Sequence, residues 1–408
     1  MSSEMRAHEI YIHIPFCVKK CGYCDFLSFP AGRDVQRDYV DALLRQIREY
    51  RERSGRRIPV STVFFGGGTP TVPEAAWTGE ILEALREIFA VEPDAEISME
   101  SNPGTLTKEK LAAYRSYGVN RLSIGCQSMD DGELERLGRI HTRADFLDSF
   151  RMAREAGFDN INIDLMSALP GQTLESWERG LRQVCSLKPE HISAYSLIIE
   201  EETPFFDRYA EQEKLRGSGC DLTVDGGELS ESDRLPDEET ERRMYRRTEE
   251  ILAASGYVRY EISNYAKIGR ECRHNLGYWT LVPYLGFGLG ASSYLEKSPD
   301  GSRFVRYRTT ADLKKYLAGD FVPRDMEQLT LKDRQSEFMI LGLRLMQGVS
   351  LQEFTEKFGV PMREVYEPAI RKYTAQGLLE ICDGRLRLTG DGVSVSNVVM
   401  ADFLQDSE

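Results

Sequence analysis

Three cysteines near the start of the chain have the spacing of a metal-cluster site. Cys17, Cys21 and Cys24 follow the pattern C-x₃-C-x₂-C, directly after the apolar run 10–16, which indicates a strand. Closely spaced thiolates suit an iron–sulfur cluster, because its irons prefer soft sulfur ligands. Three cysteines leave one iron of a 4Fe–4S cluster without a protein ligand, so this iron is open to another ligand.

Zinc binding or a disulfide would also use closely spaced thiols. A disulfide with a spare thiol needs an oxidising compartment, and residues 1–9 show no apolar secretion signal. A structural zinc site usually closes with four ligands, and this stretch has no well-placed fourth. The spacing therefore favours a cluster. The remaining cysteines are scattered, and most are expected to be small buried residues: Cys126, Cys185, Cys220, Cys272 and Cys382.

The composition is ordinary for a globular protein of two or three domains. The chain has 408 residues, of which 41% are hydrophobic and 29% charged. Its formal net charge of −14 argues against a nucleic acid or an anionic membrane as partner. No apolar run reaches the roughly 18–20 residues that a membrane span needs. We therefore expect a cytoplasmic protein without an integral membrane segment.

Short apolar strands alternate with amphipathic helices through the first half of the chain. The predicted strands are 10–16, 60–65, 95–100, 121–125, 160–166 and 191–197, and the predicted helices are 38–53, 74–89, 108–117, 144–156 and 174–186. This alternation predicts an α/β fold, either a parallel βα barrel or an open doubly wound sheet. In both, ligands bind at the carboxyl ends of the strands. The unusual segments follow strand ends, which predicts one shared site.

The second half of the chain changes character three times. Residues 211–239 are polar, acidic and rich in glycine and serine, which is typical of a solvated insertion after a first domain at 1–210. Residues 240–300 contain a glycine-dense apolar run at 284–294, which indicates closely packed backbone. Residues 301–408 predict helices and a hairpin centred on Asp383, a winged-helix-like domain.

The cysteine pattern with Tyr23 resembles the signature of radical S-adenosylmethionine (SAM) enzymes. The chain further resembles the oxygen-independent coproporphyrinogen III oxidase group. The segments that carry this resemblance are Y-I-H-I-P-F-C from Tyr11, G-G-G-T-P-T from Gly66, E-S-N-P from Glu100, R-L-S-I-G-C-Q-S from Arg121, L-G-R-I-H from Leu137, N-I-D-L-M-S-A-L-P-G-Q-T from Asn162, Y-E-I-S-N-Y from Tyr260 and H-N-L-G-Y-W from His274. The resemblance implies a partial parallel (β/α)6 radical-SAM barrel with a smaller C-terminal helical, winged-helix-like domain.

Two features separate the branches of this group. True coproporphyrinogen oxidases look like C-x₃-C-x₂-C-x-C with a longer N-terminal extension, whereas Phe26 stands at the last cysteine position here. The sister branch of HemW-type heme chaperones has phenylalanine at that position and the motif H-N-x-x-Y-W, which occurs here at 274–279. The chain therefore resembles the heme chaperone branch.

The resemblance implies that Cys17, Cys21 and Cys24 hold the 4Fe–4S cluster and that SAM chelates its open iron. The residues implied to contact the cofactors, chiefly SAM, are Tyr11, Tyr23, Gly67, Gly68, Thr69, Glu100, Gln127, Arg139 and Asp164. Acids can bind the ribose hydroxyls and the methionine amine, Arg139 can pair with a carboxylate, and the glycine turn would present bare backbone amides. The alternative for the charged residues is a set of salt bridges at the barrel rim.

Two histidines lie within the matching motifs. His13 could relay protons or tune the cluster, or it could be a structural residue with satisfied hydrogen bonds. His274 is two residues from Cys272, and both residue types serve as axial ligands of heme. We therefore consider a tentative heme site at His274, with Tyr278 and Trp279 packed on the macrocycle. The alternative is that this motif merely closes the mouth of the barrel.

The implied function is that of a heme chaperone, which binds heme and passes it to acceptor proteins. The alternative from another class is a coproporphyrinogen III oxidase, which decarboxylates two propionate side chains in porphyrin biosynthesis. A third and weaker alternative is a DNA-associated protein that acts through the winged tail. The implied partners are heme and heme-acceptor proteins, while a homodimer and a transient membrane association stay open. Whether SAM is cleaved is also open.

Overall fold

The computed structural model describes residues 8–54, 57–215, 223–224, 227–228, 233–298 and 303–405. Its centre is a sheet of 12 strands in the order β14-β13-β12-β11-β1-β2-β3-β4-β5-β6-β10-β9. The strands are β1 His8–Ile14, β2 Pro59–Gly67, β3 Ala90–Ser101, β4 Arg121–Gln127, β5 Ile161–Ser167, β6 His191–Ser196, β7 Thr223–Val224, β8 Gly227–Glu228, β9 Val258–Arg259, β10 Asn264–Ala266, β11 Tyr284–Phe287, β12 Ser292–Glu296, β13 Phe304–Arg308, β14 Arg324–Leu329, β15 Val349–Ser350, β16 Leu379–Cys382 and β17 Arg385–Leu388.

The strands β1 to β6 run parallel in chain order, which confirms the predicted α/β fold. Strand β11 adds a further parallel strand on the other side of β1. Antiparallel strands extend the sheet beyond β6 and beyond β11, and the two edge strands β9 and β14 do not pair with each other. The barrel is therefore partial, with an opening between its edges.

Helices follow the parallel strands and cover the outer face of the sheet. They are α1 Arg33–Ser54, α2 Ala75–Ile88, α3 Lys108–Tyr117, α4 Asp131–Arg136, α5 Arg143–Glu155, α6 Leu174–Ser186, α7 Pro204–Leu215, α8 Glu238–Ala254, α9 Arg273–Trp279, α10 Leu313–Leu317, α11 Leu331–Gly342, α12 Leu351–Phe358, α13 Met362–Ala375, α14 Gly390–Ser394 and α15 Ser396–Ala401. Capping boxes begin α5 at Thr142 and α6 at Thr173, because each threonine accepts from a backbone amide three residues later.

Alternation along the strands separates an apolar outer face from a polar inner face. On β4, Leu122 and Ile124 belong to the main hydrophobic core, whereas Ser123 donates a hydrogen bond to Asp164 of β5 at 3.0 Å. On β5, Asn162 donates to Ser123 at 2.7 Å. Successive side chains point to opposite faces of a strand, so every second residue faces the barrel interior. This polar interior leads up to the carboxyl ends of the strands.

The C-terminal unit has its own small sheet and core. Strands β15, β17 and β16 form a three-stranded sheet, and helices α11 to α15 pack beside it around buried residues such as Phe354 and Phe403. The strands β13 and β14, by contrast, pair with the large sheet. Two basic residues of α13 form ion pairs with acidic residues of the same unit, Arg363 with Glu367 at 3.4 Å and Lys372 with Asp402 at 2.6 Å.

The acidic insertion predicted at 211–239 lies partly outside the described residues. Its described parts are the end of α7, the two-residue strands β7 and β8, and the chain from Asp233 onward. The chain returns to the barrel there, because Gly171 donates a backbone hydrogen bond to the carbonyl of Arg234 at 2.7 Å. Within the described residues, no helix combines the length and the apolar character needed to span a membrane.

Candidate functional site

A cavity of about 350 Å³ lies at the carboxyl ends of the parallel strands. Most of the predicted site residues line it: Cys17, Cys21, Tyr23, Cys24, Gly67, Gly68, Thr69, Glu100, Gln127, Arg139 and Asp164. They come from strands and loops that are up to 147 residues apart in sequence, from 17 to 164. Tyr11 and His274 are not part of this lining. The fold thus gathers eleven of the thirteen predicted residues around one space.

The cysteine loop is held between two neighbouring segments. The amide of Gly22 donates to the carbonyl of Leu137 at 3.3 Å, and the carbonyl of Gly22 accepts from the amide of Phe205 at 2.9 Å. A side chain at position 22 would begin 2.9 Å from the ring of Phe205, so only glycine fits without a shift. The Phe205 ring also packs edge-on against Tyr23. The loop conformation therefore depends on α4 and α7 as well as on β1.

A row of polar contacts joins two of the three cysteines. The sulfur of Cys17 lies 3.6 Å from the hydroxyl of Thr69, which accepts a hydrogen bond from the amide nitrogen of Asn102 at 2.6 Å. The amide oxygen of Asn102 accepts from Arg139, and Arg139 also donates to the sulfur of Cys21 at 3.6 Å. We call Thr69, Asn102 and Arg139 the polar bridge. Such contacts orient metal ligands and tune their basicity.

Asn102 is a cavity residue that the sequence analysis does not assign. It stands in the segment E-S-N-P, directly after β3, and so occupies the carboxyl end of a parallel strand. Ser193 and Tyr195 of β6 are also missed, although they lie two residues apart and hence on one face of that strand. Tyr195 donates to the side-chain oxygen of Gln127 at 3.2 Å. Strand alternation is the signal that would have identified them.

The glycine turn after β2 does not present free amides, which corrects the expectation for residues 66–69. Gly67 donates to Glu100 at 3.2 Å, Gly68 to the carbonyl of Ile14 at 2.8 Å, and Thr69 to the carbonyl of Phe16 at 2.7 Å. A Cβ atom at Gly68 would lie 2.8 Å from the Phe16 carbonyl. The glycines therefore let β2 pack tightly beside β1. What this turn can offer a ligand is carbonyl oxygen.

Two carboxyl groups face the cavity from β3 and β5. Burial, followed by the negative charge of Asp164, raises the pKa of Glu100 to about 8, although the Gly67 amide lowers it in part. Burial also raises the pKa of Asp164, against the effect of its hydrogen bonds from Ser123 and Asn162. The buried Arg121 lowers the pKa of both acids, but burial outweighs it, so the site favours a ligand with a positive group.

Gln127 ends β4 in a left-handed backbone conformation. Its φ is 66°, a region that residues with a side chain seldom adopt. The register between β4 and β5 shifts at this point, and Gln127 is nearly buried at the cavity wall. Strain of this kind is tolerated where the surrounding contacts hold it in place, and it often occurs at binding sites.

Tyr11 and His13 lie beneath the cavity wall and contact each other. The hydroxyl of Tyr11 is 3.1 Å from Nδ1 of His13, and Nε2 of His13 is 2.9 Å from the carbonyl of Leu27. Burial lowers the pKa of His13. Both ring nitrogens of His13 thus have partners, which supports the structural interpretation of this residue. Through Leu27 it also anchors the end of the cysteine loop.

His274 lies away from the cavity, inside the barrel. Its Nδ1 is 2.6 Å from the hydroxyl of Thr62, its Nε2 is 3.0 Å from the hydroxyl of Tyr278, and its ring stacks on Phe64. Burial lowers the pKa of His274 to about 3, so the ring is neutral. The neighbouring thiol of Cys272 is fully buried against Glu96. For His274 to bind a heme iron, the ring would have to break one of its two hydrogen bonds.

The arrangement of the cysteines bears on the kind of metal group that fits. Within the described part of the chain, no three His, Cys, Asp or Glu side chains converge on a point where one ion would sit. A single zinc needs such convergence, with every sulfur about 2.3 Å from the metal. Three thiols around one cavity suit a cluster, because each can bind a different iron.

Comparison with protein families agrees with this geometry. Residues 11–184 match the radical SAM superfamily, and residues 329–395 match the HemN C-terminal domain. The first range contains the cysteine loop and the strands β2 to β5, and it begins within β1. Membership of the radical SAM superfamily confirms a 4Fe–4S cluster and SAM as the cofactors.

Two curated relatives that are similar over nearly the whole length are both named heme chaperone HemW. The chain is 35% identical to the heme chaperone HemW of Bacillus subtilis, over 97% of this chain and 98% of that protein. It is also 35% identical to the heme chaperone HemW of Escherichia coli, over 98% of both. Among solved structures, coproporphyrinogen III oxidase (HemN) of Escherichia coli, titled a radical SAM enzyme, has the same fold, with a TM-score of 0.79 at 24% identity over 98% of this chain and 91% of that one. The chain belongs to the HemW family of heme chaperones, within the radical SAM superfamily.

Proposed function

We propose that this protein binds heme and transfers it to heme-acceptor proteins, while it holds a 4Fe–4S cluster and SAM in the cavity at the barrel mouth. The observation that carries the proposal is the similarity of 35% over nearly the full length to proteins named heme chaperones. We place this activity in the cytoplasm. Heme and its acceptor proteins are the partners, and a homodimer or a brief membrane contact during transfer belongs to the same proposal.

The cavity supports a division of labour among its residues. Cys17, Cys21 and Cys24 would hold the cluster, which when reduced supplies one-electron chemistry to SAM. Glu100 and Asp164 supply the negative charge that a methionine amine and ribose hydroxyls require. The predicted contacts of Tyr23, Gly67, Gly68, Thr69 and Gln127 stay proposals of the same kind.

Arg139 has a different part in this proposal from the one expected at first. Its guanidinium already donates to Asn102, to the carbonyl of Gly125 at 2.7 Å and to Cys21 at 3.6 Å. These contacts engage three of its five N–H donors, which leaves fewer of them for a SAM carboxylate. Its positive charge beside Cys21 would instead stabilise the thiolate that the cluster needs. We therefore assign Arg139 mainly to the cysteine loop.

The second candidate function is oxidative decarboxylation of coproporphyrinogen III. The shared fold with the oxidase HemN is the observation that favours it, and a fold alone does not establish an activity. Phe26 argues against it, because the oxidases resemble a pattern with a further cysteine at that position. Phe26 is 60% exposed and lines the cavity.

One anaerobic experiment separates the two functions. Reconstituted and reduced protein receives SAM and coproporphyrinogen III in one arm and heme in the other. Heme-loaded protein is then mixed with the apo form of a heme protein. We expect stoichiometric heme binding, transfer to the apoprotein and no protoporphyrinogen. Formation of protoporphyrinogen would establish the oxidase instead, and absence of heme binding would overturn the chaperone proposal. A variant with Cys17, Cys21 and Cys24 changed to alanine shows which effects need the cluster.

A further inference from the structure

Three large apolar side chains stand exposed at the mouth of the cavity. Val18 is 58% exposed, Phe26 60% and Ile140 56%, and all three line the cavity. We call them the apolar rim. Single exposed apolar residues are common on proteins, but several around one opening indicate a surface that is covered by a ligand. The cluster is assigned to the cysteines and SAM mainly to polar residues, which leaves these three side chains without an assigned ligand.

The apolar rim comes from two segments that contact each other. Val18 lies within the cysteine loop, between Cys17 and Cys21, and Phe26 follows Cys24 by two residues. Ile140 follows Arg139 in the segment after α4. The loop and this segment are joined by the hydrogen bond from Gly22 to Leu137 at 3.3 Å and by the contact of Arg139 with Cys21 at 3.6 Å. The rim therefore stands on a part of the site that the cluster cysteines and their neighbours hold together.

Positive charge lies beside the rim in a protein that is strongly acidic. Lys19 and Lys20 are exposed and line the same cavity, and Lys20 donates to the carbonyl of Phe26 at 2.9 Å. The one acid within the loop, Asp25, is not part of the lining. The two lysines thus place positive charge at an apolar opening in a chain whose net charge is −14. They complement a ligand that carries carboxylates on an apolar body.

We propose that heme docks on the apolar rim, with one face of the macrocycle against Val18, Phe26 and Ile140 and its propionates toward Lys19 and Lys20. This inference rests on the proposed heme chaperone function and names its binding surface. Heme has the required chemistry, since its flat apolar ring carries two carboxylates at one edge. A ring placed there covers the mouth of the cavity. Bound heme would therefore slow the exchange of SAM.

The test uses full-length reconstituted protein with rim variants and matched controls. The rim variants are Phe26→Asp, Ile140→Asp and the double change Lys19→Glu with Lys20→Glu. The controls are Ile268→Asp, at a residue that is 87% exposed and outside the lining, and Lys314→Glu with Lys315→Glu on α10. Heme titration gives the affinity, and iron and sulfide per chain report the cluster. Release of labelled SAM is timed with and without heme.

We expect each aspartate variant to bind heme at least about tenfold more weakly, because one apolar side chain no longer buries its surface against the macrocycle. The lysine variant should weaken binding by about threefold to tenfold, less so at high salt. Cluster content and the controls should not change, and heme should slow SAM release in the parent protein. If Phe26→Asp lowers the cluster content, the heme affinity of Ile140→Asp becomes the test of the docking surface, because Ile140 lies outside the cysteine loop.

The possible failures are distinguishable. Parent protein that binds heme, with rim variants that bind it equally well and unchanged SAM release, would overturn the docking surface and leave the chaperone function standing. Parent protein that binds no heme would overturn the chaperone function, and with it this inference. Equal weakening in rim and control variants would also overturn the docking surface, because the effect would then be one of overall charge.

Discussion

The amide group of Asn102 connects to Arg139 through its oxygen and to Thr69 through its nitrogen, at 2.5 Å and 2.6 Å. Arg139 and Thr69 in turn contact the sulfurs of Cys21 and Cys17, each at 3.6 Å. One uncharged side chain thus links the supports of two cluster cysteines. Because an amide both donates and accepts, no carboxylate or aliphatic residue can replace it in this position.

The first prediction follows from the polar bridge. Asn102→Ala should weaken retention of the cluster by about tenfold, the usual cost of losing a contact behind a metal ligand. Iron and sulfide per chain and the rate at which the cluster absorbance fades under chelator measure it. Ser101→Ala is the matched control, since Ser101 donates to the carbonyl of Ser123 at 2.9 Å without touching the bridge. Equal cluster loss in both variants would contradict a specific role for Asn102.

The second prediction concerns the pH dependence of SAM binding. The pKa of Glu100 is raised to about 8, so at pH 6 to 7 its carboxyl is mostly protonated in the empty cavity. A cationic amine binds the ionised form, so binding releases a proton. Affinity for SAM should therefore rise by about tenfold per pH unit below pH 8 and level off above it. Isothermal titration in buffers of different ionisation enthalpy measures both affinity and proton release.

Glu100→Gln provides the control for this dependence. The variant should bind SAM weakly and with no rise between pH 6 and 8, because the titrating group is gone. An affinity that rises equally in parent and variant would assign the proton to another group. Asp164, whose pKa is also raised by burial, is the next residue to test in that case.

The third prediction concerns the contact between Gly22 and Phe205. Gly22→Ala places a methyl group about 2.9 Å from the Phe205 ring. We expect a loss of about 1 to 3 kcal/mol in the free energy of unfolding, together with faster loss of the cluster, because the ring must move away from the cysteine loop. Gly32→Ala is the control, since nothing lies within 4 Å of a Cβ there. Recovery in a Gly22→Ala, Phe205→Leu double variant would confirm the steric cause.

The fourth prediction concerns His274. His274→Ala removes the partner of two buried or half-buried hydroxyls, those of Thr62 and Tyr278. We expect a loss of about 2 to 5 kcal/mol in the free energy of unfolding, measured with denaturant. Tyr278→Phe removes one of these bonds and should cost about 1 to 2 kcal/mol. Unchanged stability together with an altered heme spectrum in His274→Ala alone would instead identify His274 as a ligand of the heme iron.

Much of the fold could be predicted from local patterns. The six parallel strands were recognisable because each is a short apolar run followed by a helix, and buried parallel strands need few polar residues on their outer face. Strand β11 was missed as a strand of the barrel, because its four residues Tyr284–Phe287 begin the glycine-dense run 284–294, which was interpreted as closely packed backbone. Its place beside β1 depends on packing between segments that are far apart in sequence.

The site shows the same division. Their positions at strand ends predicted that Cys17, Glu100 and Asp164 would lie close together, because the carboxyl ends of parallel strands share one rim. The sequence did not predict that the backbone amides from Gly67 to Thr69 donate hydrogen bonds inside the protein. Their acceptors are Glu100 and carbonyls of the segment 14–16, which are distant in sequence. The hydrogen bond between His274 and Thr62 could not be predicted either, because the two residues are 212 positions apart in sequence.

The sequence by itself determined the cysteine spacing, the order of strands and helices, and the residue types around the cavity, because these depend on short-range pattern. The tertiary structure decided which polar groups remain available to a ligand. The sequence shows which side chains can form hydrogen bonds, but the fold decides with which partners they form them. His274 bonds to Thr62 and Tyr278. Arg139 bonds to Asn102 and Cys21. What remains at the cavity for a ligand after folding, chiefly the two acids and the apolar rim, is what defines the site.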